Sequence, residues 1–107
     1  MEPLLVLTNV PDLASAEKLA RALIESRAAA CVNLFAGCRS IYRWQGAVET
    51  AGEIPLLIKT TAAAYAEVET VVRAQHPYAV PELIAVPITH GLPAYLEWVA
   101  KETEKHD

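Results

Sequence analysis

The feature that most constrains this chain is a run of extended sequence too long for one small domain to pair within itself. Residues 39–44 (Arg-Ser-Ile-Tyr-Arg-Trp) alternate, with Ser40, Tyr42 and Trp44 on one face and Ile41 and Arg43 on the other. Gln45-Gly46 then turns the chain, and Gly46 is free to take a positive φ. A return arm runs from Ala47 to Thr60, with Leu56-Leu57-Ile58 its most apolar part and a looser stretch expected around Ala51-Gly52. Pro55 has no N–H to give to a ladder, so it belongs at an edge or an irregularity. The chain has 107 residues, which points to one domain over 1–107 with a single core. Arms of this length leave unpaired edges, a liability unless another chain covers them.

The remaining segments place this hairpin in a fold. Residues 4–8 read as a buried strand, and Asp12 caps a helix whose apolar face is Leu13, Ala16, Leu19, Ala20, Leu23 and Ile24, ending near Ala28. Residues 31–35 form a second strand that Gly37 interrupts, as at a bulge, before it resumes at Arg39. Thr61 is expected to cap a second helix carrying Tyr65, Val68, Val71 and Val72. Pro77 and Pro81 keep residues 76–82 irregular. Residues 83–89 form a last strand that Pro87 confines to an edge or ends early, and Pro93 suits the first turn of a final helix. The order β-α-β-β-α-β-α defines an α+β chain. Its first six elements match the ferredoxin-like, split βαβ, antiparallel arrangement, with an extra C-terminal helix. Helices then cover one sheet face and leave the other to be covered or solvated, which again points to an oligomer.

Composition excludes several functions. The net charge is −4, from nine basic and thirteen acidic residues without a basic cluster, so no nucleic-acid partner is expected. No apolar run approaches the roughly 20 residues that span a bilayer, so no membrane partner is expected either. Cys31 and Cys38 are spaced C-x6-C, which matches no common zinc knuckle; free thiols and an N-terminus without a signal pattern fit a cytoplasmic protein. Four glycines leave no phosphate cradle, and neither G-x-S-x-G nor H-E-x-x-H occurs. No catalytic motif is visible, so the chain is not expected to be an enzyme or to require a cofactor.

Five ordered segments carry a resemblance. Ala29-Ala30-Cys31-Val32-Asn33, Ser40-Ile41-Tyr42-Arg43-Trp44-Gln45-Gly46, Glu53 with Leu57-Ile58-Lys59-Thr60, His76-Pro77-Tyr78 with Val80-Pro81-Glu82, and Pro93-Ala94-Tyr95-Leu96-Glu97-Trp98 together resemble the CutA family over nearly the whole chain. The resemblance implies a ferredoxin-like homotrimer whose long hairpin reaches a neighbouring subunit. It also implies kinship with PII-type signalling proteins and a role in divalent-cation tolerance, with copper binding in some members. Some relatives carry a cysteine where Thr8 stands and a histidine where Gln75 stands, so two candidate ligands of such a site are missing here.

Within that frame the candidate metal ligands are His76, Cys31 and Glu53, for copper or another divalent cation. Each also has a structural reading: His76 as the pin of its loop through backbone hydrogen bonds, Cys31 as an inert thiol in an apolar strand. Tyr42, Trp44 and Tyr78 form either an aromatic wall for a ligand or packing between subunits. Glu53, Lys59 and Glu82 form either a structural ion pair or a polar intersubunit cleft, with the carboxylates toward a hard cation and Lys59 toward an anion. The main expectation is a weak metal-binding trimer. One alternative is a PII-like sensor for a small anionic metabolite, and another an enzyme using Glu53, Lys59 and His76 as acid and base groups.

Overall fold

The computed structural model, which describes residues 2–105, shows eight main elements. They are β1 (Pro3–Val10), α1 (Leu13–Glu25), β2 (Cys31–Leu34), β3 (Cys38–Trp44), β4 (Ala47–Thr61), α2 (Tyr65–Gln75), β5 (Ile84–Pro87) and α3 (Pro93–Glu102). Asp12 caps α1 as expected, its carboxylate accepting the Ser15 N–H at 2.7 Å. That helix ends before Ala28, because Ser26 closes it on Ala22 and Arg27 leaves helical geometry at φ 63. Thr61 does not cap α2. It is still paired with Pro3 in the ladder, and a short 3-10 turn (Ala62–Ala64) intervenes before the helix begins.

All five strands form one antiparallel sheet in the order β2-β4-β1-β5, with β3 continuing along β4 beyond β2. The break at Gly37 is a bulge by count. Leu34 pairs with Leu56 and Cys38 with Glu53, so three residues of one arm stand opposite two of the other. Pro55 sits there. Its carbonyl accepts the Phe35 N–H, so its missing N–H faces the same interruption and no ladder bond is lost. β4 is continuous through Ala51-Gly52, which pair with Ser40 and Arg39; the expected loosening does not occur. Gln45 and Gly46 both take positive φ, 49 and 83, the two-residue turn that suits the strand twist.

Period two divides the sheet into a dry face and an open one. Val6, Leu56 and Ile58 are fully buried against Leu19 and Leu23 of α1 and Val68 and Val72 of α2, each such side chain contributing roughly 1.5–3 kcal/mol. Leu5, Leu7, Leu57, Ile84 and Val86 occupy the other face; the three leucines are half-buried, and Ile84 and Val86 are exposed. α3 rests on β4 and β1, and its Tyr95 reaches Cys31, so it covers part of that face; Val99 is completely buried there, outside the main cluster. Among the described residues no third strand flanks the β3–β4 arm. Its Ile41 and Val48 are 69% and 64% exposed.

Candidate functional site

Three segments meet at the root of the hairpin: β3, the start of the Glu53–Pro55 stretch of β4, and the irregular loop before β5. Between them lies a cleft of 600 Å³, lined by Ser40, Ile41, Tyr42, Trp44, Glu53, Tyr78, Ala79, Val80 and Glu82. Five of the residues singled out from the sequence converge here: Tyr42, Trp44, Glu53, Tyr78 and Glu82. The alternation of β3 brings Ser40, Tyr42 and Trp44 to one wall. The loop supplies the other wall and is tied to the strands at two points. Glu82 takes a hydrogen bond from the Asn9 side chain at 3.2 Å, and its backbone carbonyl takes one from the Thr8 hydroxyl at 2.7 Å.

His76 stands behind that wall, 7% exposed. Its Nε2–H donates to the Asn9 carbonyl at 2.6 Å, and its Nδ1 accepts the Tyr78 N–H at 3.1 Å. Both ring nitrogens are engaged, and the ring also meets Tyr78 at 4.8 Å between centroids. Cys31 lies elsewhere, on the open sheet face. Lys59 donates to its sulfur at 3.9 Å and to the Asn33 side-chain oxygen. His76, Cys31 and Glu53 are thus not brought together, and among the described residues no three His, Cys, Asp or Glu are grouped to hold a metal ion.

Lys59 does not line the cleft. It shares a strand and a face with Glu53 but stands six positions away, roughly 20 Å at the rise of a strand. Within one chain, Glu53, Lys59 and Glu82 therefore form no ion pair among the described residues. The ion pairs among the described residues are Arg27–Glu102 and Lys105–Glu67. The same distance keeps Glu53, Lys59 and His76 from forming one acid–base group. The sequence reading missed Asn9, which bonds both His76 and Glu82, and the lining residues Ile41, Ala79 and Val80. A shallower hollow of 210 Å³ between α1 and β2 gathers no comparable set of groups.

The electrostatics of the cleft are one-sided. It holds two carboxylates and no lysine, arginine or histidine among its lining residues. Burial pushes the Tyr78 phenol above its ordinary 10.0, and the Glu53 carboxylate beside it adds to the shift. The neutral phenol is the form the fold favours. Its contribution to stability is fully present below the ordinary tyrosine range and is lost as pH rises through the raised value. Absorbance titration of the phenols should show a late-ionising component that shrinks in Tyr78→Phe. Tyr95 is raised as well, by burial first and then by Cys31, so Tyr95→Phe serves as the comparison. A titration curve unchanged apart from the loss of one ordinary tyrosine would contradict this.

These features describe a small α+β protein built on a five-stranded antiparallel sheet and three helices, with an acidic, aromatic cleft at the root of an unsupported hairpin. The chain belongs to the CutA1 divalent ion tolerance protein family, whose model matches residues 4–102. It is similar to the divalent-cation tolerance protein CutA of Thermus thermophilus, 48% identical over 98 residues that cover 92% of this chain and 95% of that one. The solved structure of the Thermus thermophilus protein superposes with a TM-score of 0.93 at 46% identity, covering 95% of this chain and 99% of that one. The CutA structure from Xylella fastidiosa gives 0.94, also at 46% identity, over 97% and 100% of the two chains.

Proposed function

We propose that the chain acts as a homotrimer of ferredoxin-like subunits that weakly binds divalent cations, copper among them, in the Glu53–Glu82 cleft, and that this binding underlies a part in divalent-cation tolerance. The observation that carries the reading is the pair of carboxylates in a cleft with no basic lining residue. Two oxygen ligands are fewer than a dedicated site supplies, which argues for weak binding. Copper binds most sites more tightly than other first-row divalent ions, so it is the most sensitive probe. The same lining disfavours a PII-like sensor of an anionic metabolite in this cleft, because Lys59 is too far away to neutralise it. The sheet order supports the ferredoxin-like assignment once β2 and β3 are counted as one bulged strand. The open apolar face and the arm that no third strand flanks support the trimer, since a lone two-stranded arm is marginal in water.

Calorimetric titration with copper should give micromolar or weaker binding. Glu53→Gln and Glu82→Gln should each reduce it about tenfold, the expected effect of losing one of two charges on a partly screened cation. Affinity unchanged in the double variant would remove the cation from this cleft. Loss of binding in Cys31→Ser instead would move it to the open face.

A further inference from the structure

Lys59 carries a charge that its own chain does not balance. Its ammonium donates to the Cys31 sulfur at 3.9 Å and to the Asn33 side-chain oxygen, neither of them a carboxylate, and among the described residues it joins no ion pair. It stands half-buried in β4, on the sheet face with Leu5, Leu7 and Leu57 that neighbouring copies close in the proposed trimer. Of the charged residues that the strands carry on that face, Lys59 is the only base, and Glu49 and Glu53 are the acids; Arg39 and Arg43 of β3 lie on the opposite face. Closing the face takes the ammonium out of water, which is costly unless a carboxylate meets it there. The cleft presents the complementary need, since Glu53 and Glu82 meet there without a base from their own chain. Six residues of β4, roughly 20 Å, keep Lys59 from Glu53 of the same copy. Two unlike patches, each supplying what the other lacks, are what a head-to-tail interface joins, and a ring of three copies repeats one such interface three times.

We infer that Lys59 of each copy enters the Glu53–Glu82 cleft of the next, so that a neighbour's side chain fills the metal-free cleft and a divalent cation must displace it. The contact between copies stands apart from the cation reading of the cleft; the displacement rests on that reading and deepens it by naming what limits the affinity. The ammonium meets the two carboxylates, and its four-carbon stem lies along the rings of Tyr42 and Tyr78. Those rings, 44% and 40% exposed in one chain, thereby gain apolar cover. Glu82 is held for this role by the Asn9 amide, and the Thr8 hydroxyl fixes the backbone that carries it. One ammonium against two carboxylates leaves the cleft net negative, so it still attracts a cation. Assembly and metal then draw on the same two carboxylates. By linkage, copper in the cleft loosens the trimer by the same factor by which the trimer weakens copper binding.

Sedimentation over a dilution series in urea reads the assembly, and copper calorimetry reads the cleft. Both are applied to the wild type, Lys59→Met, the Glu53→Gln/Glu82→Gln variant and the triple variant. Lys59→Met keeps the stem of the side chain and removes its charge. Removing either side of the contact leaves the other unpaired and should shift dissociation of the trimer to at least about tenfold higher protein concentration. The triple variant removes both sides and should dissociate no more readily than the worse of the two, the mark of groups that act as a pair. Lys59→Met should bind copper about tenfold more tightly, because the competing ammonium is gone. Losses that simply multiply in the triple variant overturn the inference, as does a Lys59→Met trimer as resistant to dilution as the wild type, or a monomeric wild type. Copper bound no more tightly by Lys59→Met overturns the displacement. Copper binding that needs Glu53 and Glu82, without coupling of either to Lys59, defeats the inference and leaves the cation reading standing. Coupling without copper binding to any variant defeats the cation reading and sustains the contact between copies.

Discussion

Leu57→Glu is expected to convert a particle of three times the 11.6 kDa chain mass into one of a single chain mass. Leu57 lies in β4, paired with Leu7 on one side and Asn33 on the other, on the sheet face that α1 and α2 do not cover. In the proposed trimer that face is closed by neighbouring copies. A carboxylate introduced there is taken out of water without a partner, a cost of several kcal/mol at each of three equivalent positions. The core of the subunit lies on the opposite face, around Leu56 and Ile58, so the secondary structure should survive. Light scattering at micromolar concentration, with circular dichroism alongside, measures both. Leu57→Met conserves volume and should remain trimeric. A monomeric wild type defeats the assembly proposal outright, and a trimeric Leu57→Glu shows that the copies meet elsewhere.

The hairpin bears on the same assembly from a different direction. Its two faces differ: Ser40, Tyr42 and Trp44 share one face, while Ile41, at the rim of the cleft, and Val48 lie on the other and are largely in water. The Tyr42–Trp44 face continues the Leu57 face, so the proposed neighbouring copies would meet the arm there as well.

Where the sequence carried local physical signals, the structure follows them closely. Asp12 caps because its carboxylate reaches a free N–H three residues on. Gly37 marks a bulge and Pro55 sits opposite it, both because the ladder there has a residue to spare. Pro87 is the last residue of an edge strand, and Pro93 opens α3. Signals that needed distance rather than pattern were lost. Glu53 and Lys59 share a face of β4, but a shared face is not a shared site when a step of six residues, roughly 20 Å, separates them. Thr61 resembled a helix cap by residue type, but the ladder still held it, 4% exposed and paired with Pro3. The partners of His76 are backbone groups, one of them 67 residues away, and backbone groups leave no mark on a sequence. Ile41, Ala79 and Val80 line the cleft through shape alone, with no chemistry to announce them.

The role of His76 yields the second large effect. His76→Ala should destabilise the protein by about 3 kcal/mol, because it leaves the Asn9 carbonyl and the Tyr78 N–H unpaired and opens a cavity beside the Tyr78 ring. Those two groups connect the imidazole to the cleft. Asn9 holds the Glu82 carboxylate, and Tyr78 forms part of the aromatic wall. Losing the ring should therefore weaken copper binding in the cleft, although the imidazole does not touch the cation. His76→Gln can restore the bond to the Asn9 carbonyl through its amide N–H and should recover part of the stability and of the copper affinity together. Thermal unfolding at fixed protein concentration, with copper calorimetry, measures both quantities on the same variants. A variant that keeps wild-type stability yet loses copper would instead place the imidazole in the coordination shell of the metal.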